Sequence, residues 1–241
     1  VVHLAAKAGV RPSILTPTKY IDTNITGTQN ILDLMLEKNC KNILFASSSS
    51  IYGNNKKTPF SESDNVDKPI SPYAFTKRAN ELQIHSYHNL YNIDTICLRF
   101  FTVFGPRQRP DLAIRKFIEK IDNNESIDMY GDGYTGRDYT YISDIVSGIY
   151  SAYNYLLENE KVYEIVNLGN NKPILLKEMI DTIYKVLDKE ENVKILPMQP
   201  GDVLQTCADI SKAQRLFNYS PKVSFEEGIK KFTHWFNTNK A

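Results

Sequence analysis

The sequence predicts an α/β fold built on a parallel sheet, and three observations carry that reading. Short apolar runs alternate with helical stretches along the first hundred residues. Their order, strand–helix–strand–helix–strand, requires crossover connections that lay helices on the faces of a parallel sheet. The chain's 241 residues are 41% hydrophobic and 24% charged, which suffices for a sizeable core in one large domain or in one with a smaller lobe.

The elements follow in order. Residues 1–5 read as a strand end, and 16–38 as a helix carrying apolar Ile21, Ile25, Ile31, Leu32, Met35 and Leu36. NILFAS (42–47) is a buried strand, and 71–91 is a helix opened by Ser71 and Pro72, a preferred cap and first-turn pair. TICLRFF (95–101) is a further strand. Beyond Gly105 the texture changes. GPRQRPD and GDGYTGRD read as loops, and 112–123 as a helix. Strands at 139–142 and 164–168 flank a helix near 143–157. The tail holds a helix at 175–188, a strand at 193–196, a short helix from Asp209 and a last helix at 224–237. Ser224 and Glu227 have the spacing of a capping box there.

Composition excludes several roles. A net charge of +1 gathers neither nucleic acid nor a membrane surface, and the fifteen tyrosines have no basic face beside them. No apolar run approaches the roughly 18 residues of a membrane span, and no signal peptide is evident. Cys40, Cys97 and Cys207 are scattered singly, which is neither a disulfide framework nor metal-ligand spacing and fits a reducing cytosol. His85 and His88 lack acidic or cysteine companions, so no metal site is expected, and His234 beside Trp235 reads as packing.

Chemistry concentrates in two stretches. SPYAFTK (71–77) puts Tyr73 and Lys77 four residues apart on one helix face, where an ammonium favours the tyrosine phenolate and suits it to general-base work. FASSSSIYG (45–53) ends a strand in four hydroxyls about one strand-to-helix connection upstream. In an open parallel sheet, ligands sit at the carboxyl ends of strands, so the two stretches converge on one crevice.

With HLAA, RFFTVFGP, GRDYTYISD, VNLGN and MQPGDV, these stretches resemble the extended short-chain dehydrogenase/reductase family of NAD-dependent epimerases and dehydratases across essentially the whole chain. The resemblance implies a Rossmann-like doubly wound parallel sheet, N-terminally truncated, with a smaller α/β substrate-binding domain. Residues 1–105 and 138–170 would be the remainder of the NAD-binding domain, and 106–137 and 171–241 the nucleotide-sugar domain. Tyr73 matches the catalytic base, Lys77 its partner on the nicotinamide ribose, and Ser48 the catalytic hydroxyl, four residues before Tyr52 of the Tyr-Gly pair. His3, Leu4, Ala5, Ala6 and Lys7 match the loop that passes the cofactor, and Asn24 a position that shapes the site. A cytoplasmic homodimer is implied as well, pairing the 16–38 and 71–91 helices in a four-helix bundle.

Departures within the family select a substrate. Dehydratases resemble Thr-Asp-Glu at the hydroxyl shelf, but here Ser48, Ser49 and Ser50 offer no carboxyl group for eliminating water. Thr102 stands where epimerases of neutral UDP-hexoses usually carry asparagine. The chain is most similar to UDP-glucuronate 4-epimerases, which makes Ser49, Ser50 and Thr102 a carboxylate clamp, with Arg109 either a further member or a solvated loop arginine. Arg137 resembles the diphosphate arginine. Gln199 and Asp202 fall at nucleotide-binding positions, although galactose-type epimerases commonly carry arginine at the former. Epimerization of UDP-glucose and UDP-galactose, or a non-catalytic nucleotide-sugar-binding role, remain the alternatives. The chain opens on VVHLAA and contains no G-x-x-G-x-x-G motif. By family layout roughly 70–80 residues would precede it, so the given chain is expected to be an inactive fragment.

Overall fold

The computed structural model describes residues 1–198 and 204–239. In chain order, β1 (Val2–His3) leads to α1 (Val10–Leu15), α2 (Pro17–Tyr20), a π-helical stretch (Ile21–Thr26) and α3 (Gly27–Glu37). β2 (Asn42–Ser48) runs into a 3-10 turn (Ser49–Tyr52), followed by α4 (Pro72–Tyr91), β3 (Asp94–Phe100) and β4 (Thr102–Phe104). Next come α5 (Ala113–Asp122), β5 (Ile127–Tyr130), β6 (Gly136–Tyr141), α6 (Ile142–Glu158), β7 (Tyr163–Leu168) and β8 (Pro173–Leu175). Last are α7 (Leu176–Leu187), β9 (Val193–Leu196), α8 (Ser211–Phe217) and α9 (Phe225–Thr238).

The chain divides into two compact units. The first comprises Val1–Phe101, Ser147–Leu168 and Asp209–Ser220. Its sheet is parallel throughout, in the order β1-β2-β3-β7. Register aligns the strand ends: Ser48 faces Phe100 across one pair, and Phe100 faces Leu168 across the next. Leu32 and Met35 of α3 and Ile84 of α4 pack on Ile43, Phe45 and Cys97 of the sheet, with Ile93 closing the cluster. These side chains are at most 2% exposed, and burying each contributes about 1.5–3 kcal/mol.

The expected helix at 16–38 is a continuous helical run from Pro17 to Glu37 with a π-helical stretch inside it, and a helix at 10–15 precedes it. Proline explains the break between α1 and α2. Pro17 pushes the preceding Thr16 out of the helical region, to φ −137° and ψ 59°, and then serves as a preferred first residue of α2. The π-helical stretch beyond it contains Asn24, whose side chain is 2% exposed. By contrast, α4 starts where expected, because Ser71 Oγ accepts the Ala74 N–H at 3.1 Å and Pro72 follows.

The second unit comprises the described parts of Thr102–Val146, Gly169–Ala208 and Pro221–Ala241. β4 and β6 pair in parallel, β6 and β8 pair antiparallel, and β5 and β9 form a separate parallel pair. Helices α5, α7 and α9 bury Ile118, Ile183, Ile229 and Phe232 among Phe104, Ile127 and Tyr141. Residues 138–146, expected with the larger domain, cluster here because β6 pairs with β4 and β8. Residues 209–220, expected with the smaller one, cluster with the first unit, where Asp209 N–H donates to Phe60 O at 2.9 Å. Strands β4, β5 and β8, of three or four residues each, were not expected, whereas β9, equally short, was.

Candidate active site

Ser48 is the last residue of β2 and caps the 3-10 turn that follows. Its Oγ accepts the Ser50 N–H at 3.2 Å and donates to Ser50 Oγ at 3.2 Å. It is 7% exposed, whereas Ser49 and Ser50 are half-buried. The turn closes at Gly53, whose φ of +56° and a would-be Cβ 2.9 Å from Lys68 O demand glycine. The Tyr-Gly spacing that singled out Ser48 therefore has a steric cause.

Tyr73, Lys77 and Glu81 occupy successive turns of one α4 face. Tyr73 is half-buried with its ring edge-on to Tyr20 at 6.3 Å. Lys77 is 3% exposed, donates from Nζ to Ala46 O at 2.6 Å and lies 4.8 Å from the Phe45 ring centroid. Burial pulls its pKa down to about 8, the lesser influences of Cys97 and Glu81 acting the other way. An ammonium has three donors, and one protein carbonyl takes only one of them.

His3 ends β1 with Nε2 3.1 Å from Thr28 Oγ1. Burial first, and the Lys77 charge second, hold its pKa below the ordinary histidine value. Leu4, Ala5 and Lys7 are exposed and Ala6 half-buried in the loop that leaves the strand. Asn24 fixes that loop. Its Oδ1 accepts the Lys7 N–H at 2.8 Å, while its Nδ2 donates to Lys7 O and to Thr76 Oγ1, both at 3.0 Å. Asn24, expected at a position that shapes the site, spends its amide on the loop and on α4.

Of the expected nucleotide-sugar residues, Ser48, Ser49 and Ser50 belong to the first unit, and Thr102, Arg109 and Arg137 to the second. Thr102 opens β4 and is half-buried. Arg109 meets Asp111 through Nε and Nη2 at 3.0 and 2.9 Å in an exposed ion pair. Arg137 sits on β6, not in a loop as expected, with Nη1 on Gly136 O at 2.9 Å. Next to it, buried Asp138 accepts the N–H groups of Asn170, Asn171 and Ala208 at 2.7, 3.0 and 2.9 Å. Gln199 and Asp202 lie outside the described residues. His85 meets the Tyr163 ring edge-on and His88 meets it tilted, and the described residues contain no cluster of three or more His, Cys, Asp or Glu able to hold a metal.

Glu81 and Arg99 escaped the sequence reading, and Tyr52 entered it only as a landmark for Ser48; the three form a buried, hydrogen-bonded group. Locally each looks like an ordinary charged or aromatic residue. The four-residue step from Lys77 to Glu81 was the one signal available.

The family model described as GDP-mannose 4,6 dehydratase matches residues 1–232. The chain belongs to this family of extended short-chain dehydrogenases/reductases. Among family members, an uncharacterized protein of Methanocaldococcus jannaschii is 51% identical over 240 residues, covering 100% of this chain and 72% of that protein. A UDP-glucuronate 4-epimerase of Thermodesulfobacterium geofontis is 44% identical over 240 residues, covering 99% and 72%. Of solved structures, the UDP-N-acetylglucosamine 4-epimerase of Methanobrevibacter ruminantium with UDP-N-acetylmuramic acid has a TM-score of 0.93 at 34% identity, covering 100% of this chain and 77% of that one. The UDP-glucuronic acid 4-epimerase of Bacillus cereus with UDP-glucuronic acid and NAD has a TM-score of 0.91 at 34% identity, covering 99% and 76%. The Rossmann-like α/β class expected from the sequence is thus the fold of this family.

Proposed function

We propose that this protein performs NAD-dependent 4-epimerization of a UDP-sugar, interconverting UDP-glucuronate and UDP-galacturonate. One observation carries the chemistry: Lys77 ties the α4 face bearing Tyr73 to Ala46, two residues before Ser48, at 2.6 Å. A base, its cation and a hydroxyl are thereby gathered at the carboxyl end of one strand.

The residues fit the nicotinamide-ribose half of NAD, because the buried Lys77 ammonium keeps donors for ribose hydroxyls and the His3–Lys7 loop is held open-faced by Asn24. When bound, NAD supplies the reversible acceptance of hydride from carbon 4. The chain's own groups move the proton. Tyr73, as phenolate beside the Lys77 charge, takes the proton of the sugar 4-hydroxyl and later returns it to the same oxygen. Ser48 Oγ donates a hydrogen bond to that oxygen as it becomes a carbonyl, for which its hydroxyl must turn from Ser50. Rotation of the 4-keto sugar between the two events presents its other face and inverts carbon 4.

The hydroxyls of Ser49, Ser50 and Thr102, with Arg109, are proposed to receive the sugar carboxylate. Uncharged donors bind an anion that Asp or Glu at those positions would repel. Arg109 must exchange Asp111 for substrate to take part. Arg137 is proposed on the diphosphate, and Gln199 and Asp202 on the nucleotide. We further propose a cytoplasmic homodimer. Ile21, Phe75 and Leu82 are exposed at 41%, 46% and 53%, and a helix-to-helix partner would cover them. Among the described residues no helix is long and apolar enough to cross a membrane. Competing UDP-glucuronate against UDP-glucose in an epimerization assay with NAD tests the substrate. Preference for the acid is expected; preference for the neutral sugar overturns the clamp.

A further inference from the structure

Ser48 lies between two residues held by one buried ion pair. Arg99 of β3 and Glu81 of α4 are 1% and 0% exposed. They meet at two points, Nε to Oε1 and Nη2 to Oε2, each at 3.0 Å. Ser47 Oγ donates to Glu81 Oε1 at 2.6 Å, just before Ser48. Arg99 Nη1 donates to Tyr52 Oη at 3.0 Å, at the close of the 3-10 turn that Ser48 caps. Tyr52 Oη in turn donates to Asn167 Oδ1 at 2.7 Å. Burial pushes its pKa up to about 12, so the phenol remains neutral and serves as donor and acceptor together.

Taking Tyr73 and Ser48 as the reacting pair, as proposed above, we infer that Glu81 and Arg99 are positioning residues. They hold Ser48 against Tyr73 by gripping the chain on both sides of the serine through Ser47 and Tyr52. The same carboxylate sits one turn beyond Lys77 and two beyond Tyr73, so it also sets how far α4 lies along β2. Lys77 on Ala46 O and Glu81 on Ser47 Oγ lace consecutive turns of the helix to consecutive residues of the strand. Tyr73, on the next turn, is thereby indexed to Ser48. Stability does not explain the pair, since apolar side chains of similar volume commonly serve a core as well or better. Direction does: a two-point, charge-assisted contact fixes angle as well as distance, which dispersion contacts cannot. Four chain segments, β2, the 3-10 turn, α4 and β3, converge on that fork.

The test cuts the grips and leaves the ion pair whole. Ser47→Ala and Tyr52→Phe each remove one hydroxyl, and Glu81 and Arg99 keep each other. In full-length protein with NAD and UDP-glucuronate, each variant is expected to lose about tenfold in kcat and the double variant about 100-fold, with KM within about twofold of wild type, because misplacement harms the reaction more than binding. Amide exchange at Ser50, whose N–H donates to Ser48 Oγ, is read on the same samples and is expected to accelerate. A folded double variant with kcat within about twofold of wild type and unchanged Ser50 exchange overturns the inference; if the double variant does not fold, the singles decide by the same criteria. Should full-length wild-type protein turn over no UDP-sugar, the epimerase reading fails, while the exchange at Ser50 still decides whether the pair positions Ser48.

Discussion

Replacing Lys77 by methionine separates what the fold needs from what the chemistry needs. Lys77 is 3% exposed, and its pKa falls from 10.5 to about 8, mainly because burial disfavours the ammonium. That difference corresponds to roughly 3 kcal/mol between protonation states. The direction follows from proton counting. From about pH 8 to 10.5 the unfolded chain keeps the lysine proton while the folded one has shed it, so stability rises with pH across that window. Below about pH 8 both states are protonated and the folded protein bears the whole cost. Methionine has similar length and no charge, so Lys77→Met removes this titration. Urea unfolding of both proteins between pH 7 and 10.5 is the assay. The stability of the variant relative to wild type should be greatest at pH 7 and decline by roughly 3 kcal/mol by pH 10.5, other groups cancelling in the difference. Turnover of the same variant should fall by at least about 100-fold. A pH-independent stability difference would refute the argument that burial governs this lysine.

Other perturbations address the remaining assignments. Tyr73→Phe removes the proposed base and should cut turnover by about 10²- to 10⁴-fold while the Kd for a UDP-sugar, measured calorimetrically, stays within about twofold. Loss of binding in step with turnover would instead mark Tyr73 as a binding residue. Ser49→Asp puts a carboxylate on the shelf and should raise the KM for UDP-glucuronate more than about tenfold, with a far smaller change for UDP-glucose. Equal effects on both sugars would remove Ser49 from the clamp. In the second unit, Phe232→Ala empties a fully buried site against Phe104 and Tyr141 and should cost about 3–5 kcal/mol in chemical denaturation. A loss below about 1 kcal/mol would mean that the core collapses to fill the space.

Much of the site was legible because its chemistry is written in short, local patterns. Ser71-Pro72 announced the start of α4, and the four-residue step from Tyr73 to Lys77 guaranteed a common face. The serine run was visible because hydroxyls are unusual at the end of an apolar strand. Strands β4, β5 and β8 were missed, since little period can be read from three or four residues, although β9 was placed at 193–196. Arg137 looked like a loop residue because GDGYTGRD is rich in turn formers, yet pairing with β8 extends β6 back to Gly136. Asn24 was noticed by position alone, and its three hydrogen bonds to Lys7 and Thr76 show what that position holds together.

By itself, then, the sequence determined the alternation of strands and helices, the family and the hydroxyl, phenol and ammonium on which the proposed reaction rests. Such features are encoded within a few residues of chain, where propensity and spacing act. Only the tertiary structure decided what holds them. Glu81 is 18 residues from Arg99 and 34 from Ser47, and it reaches both because parallel register sets the end of β2 beside β3, under α4. A buried ion pair is made of the same residue types as a solvated surface. Its burial, and hence its role, comes into being when the sheet closes over it.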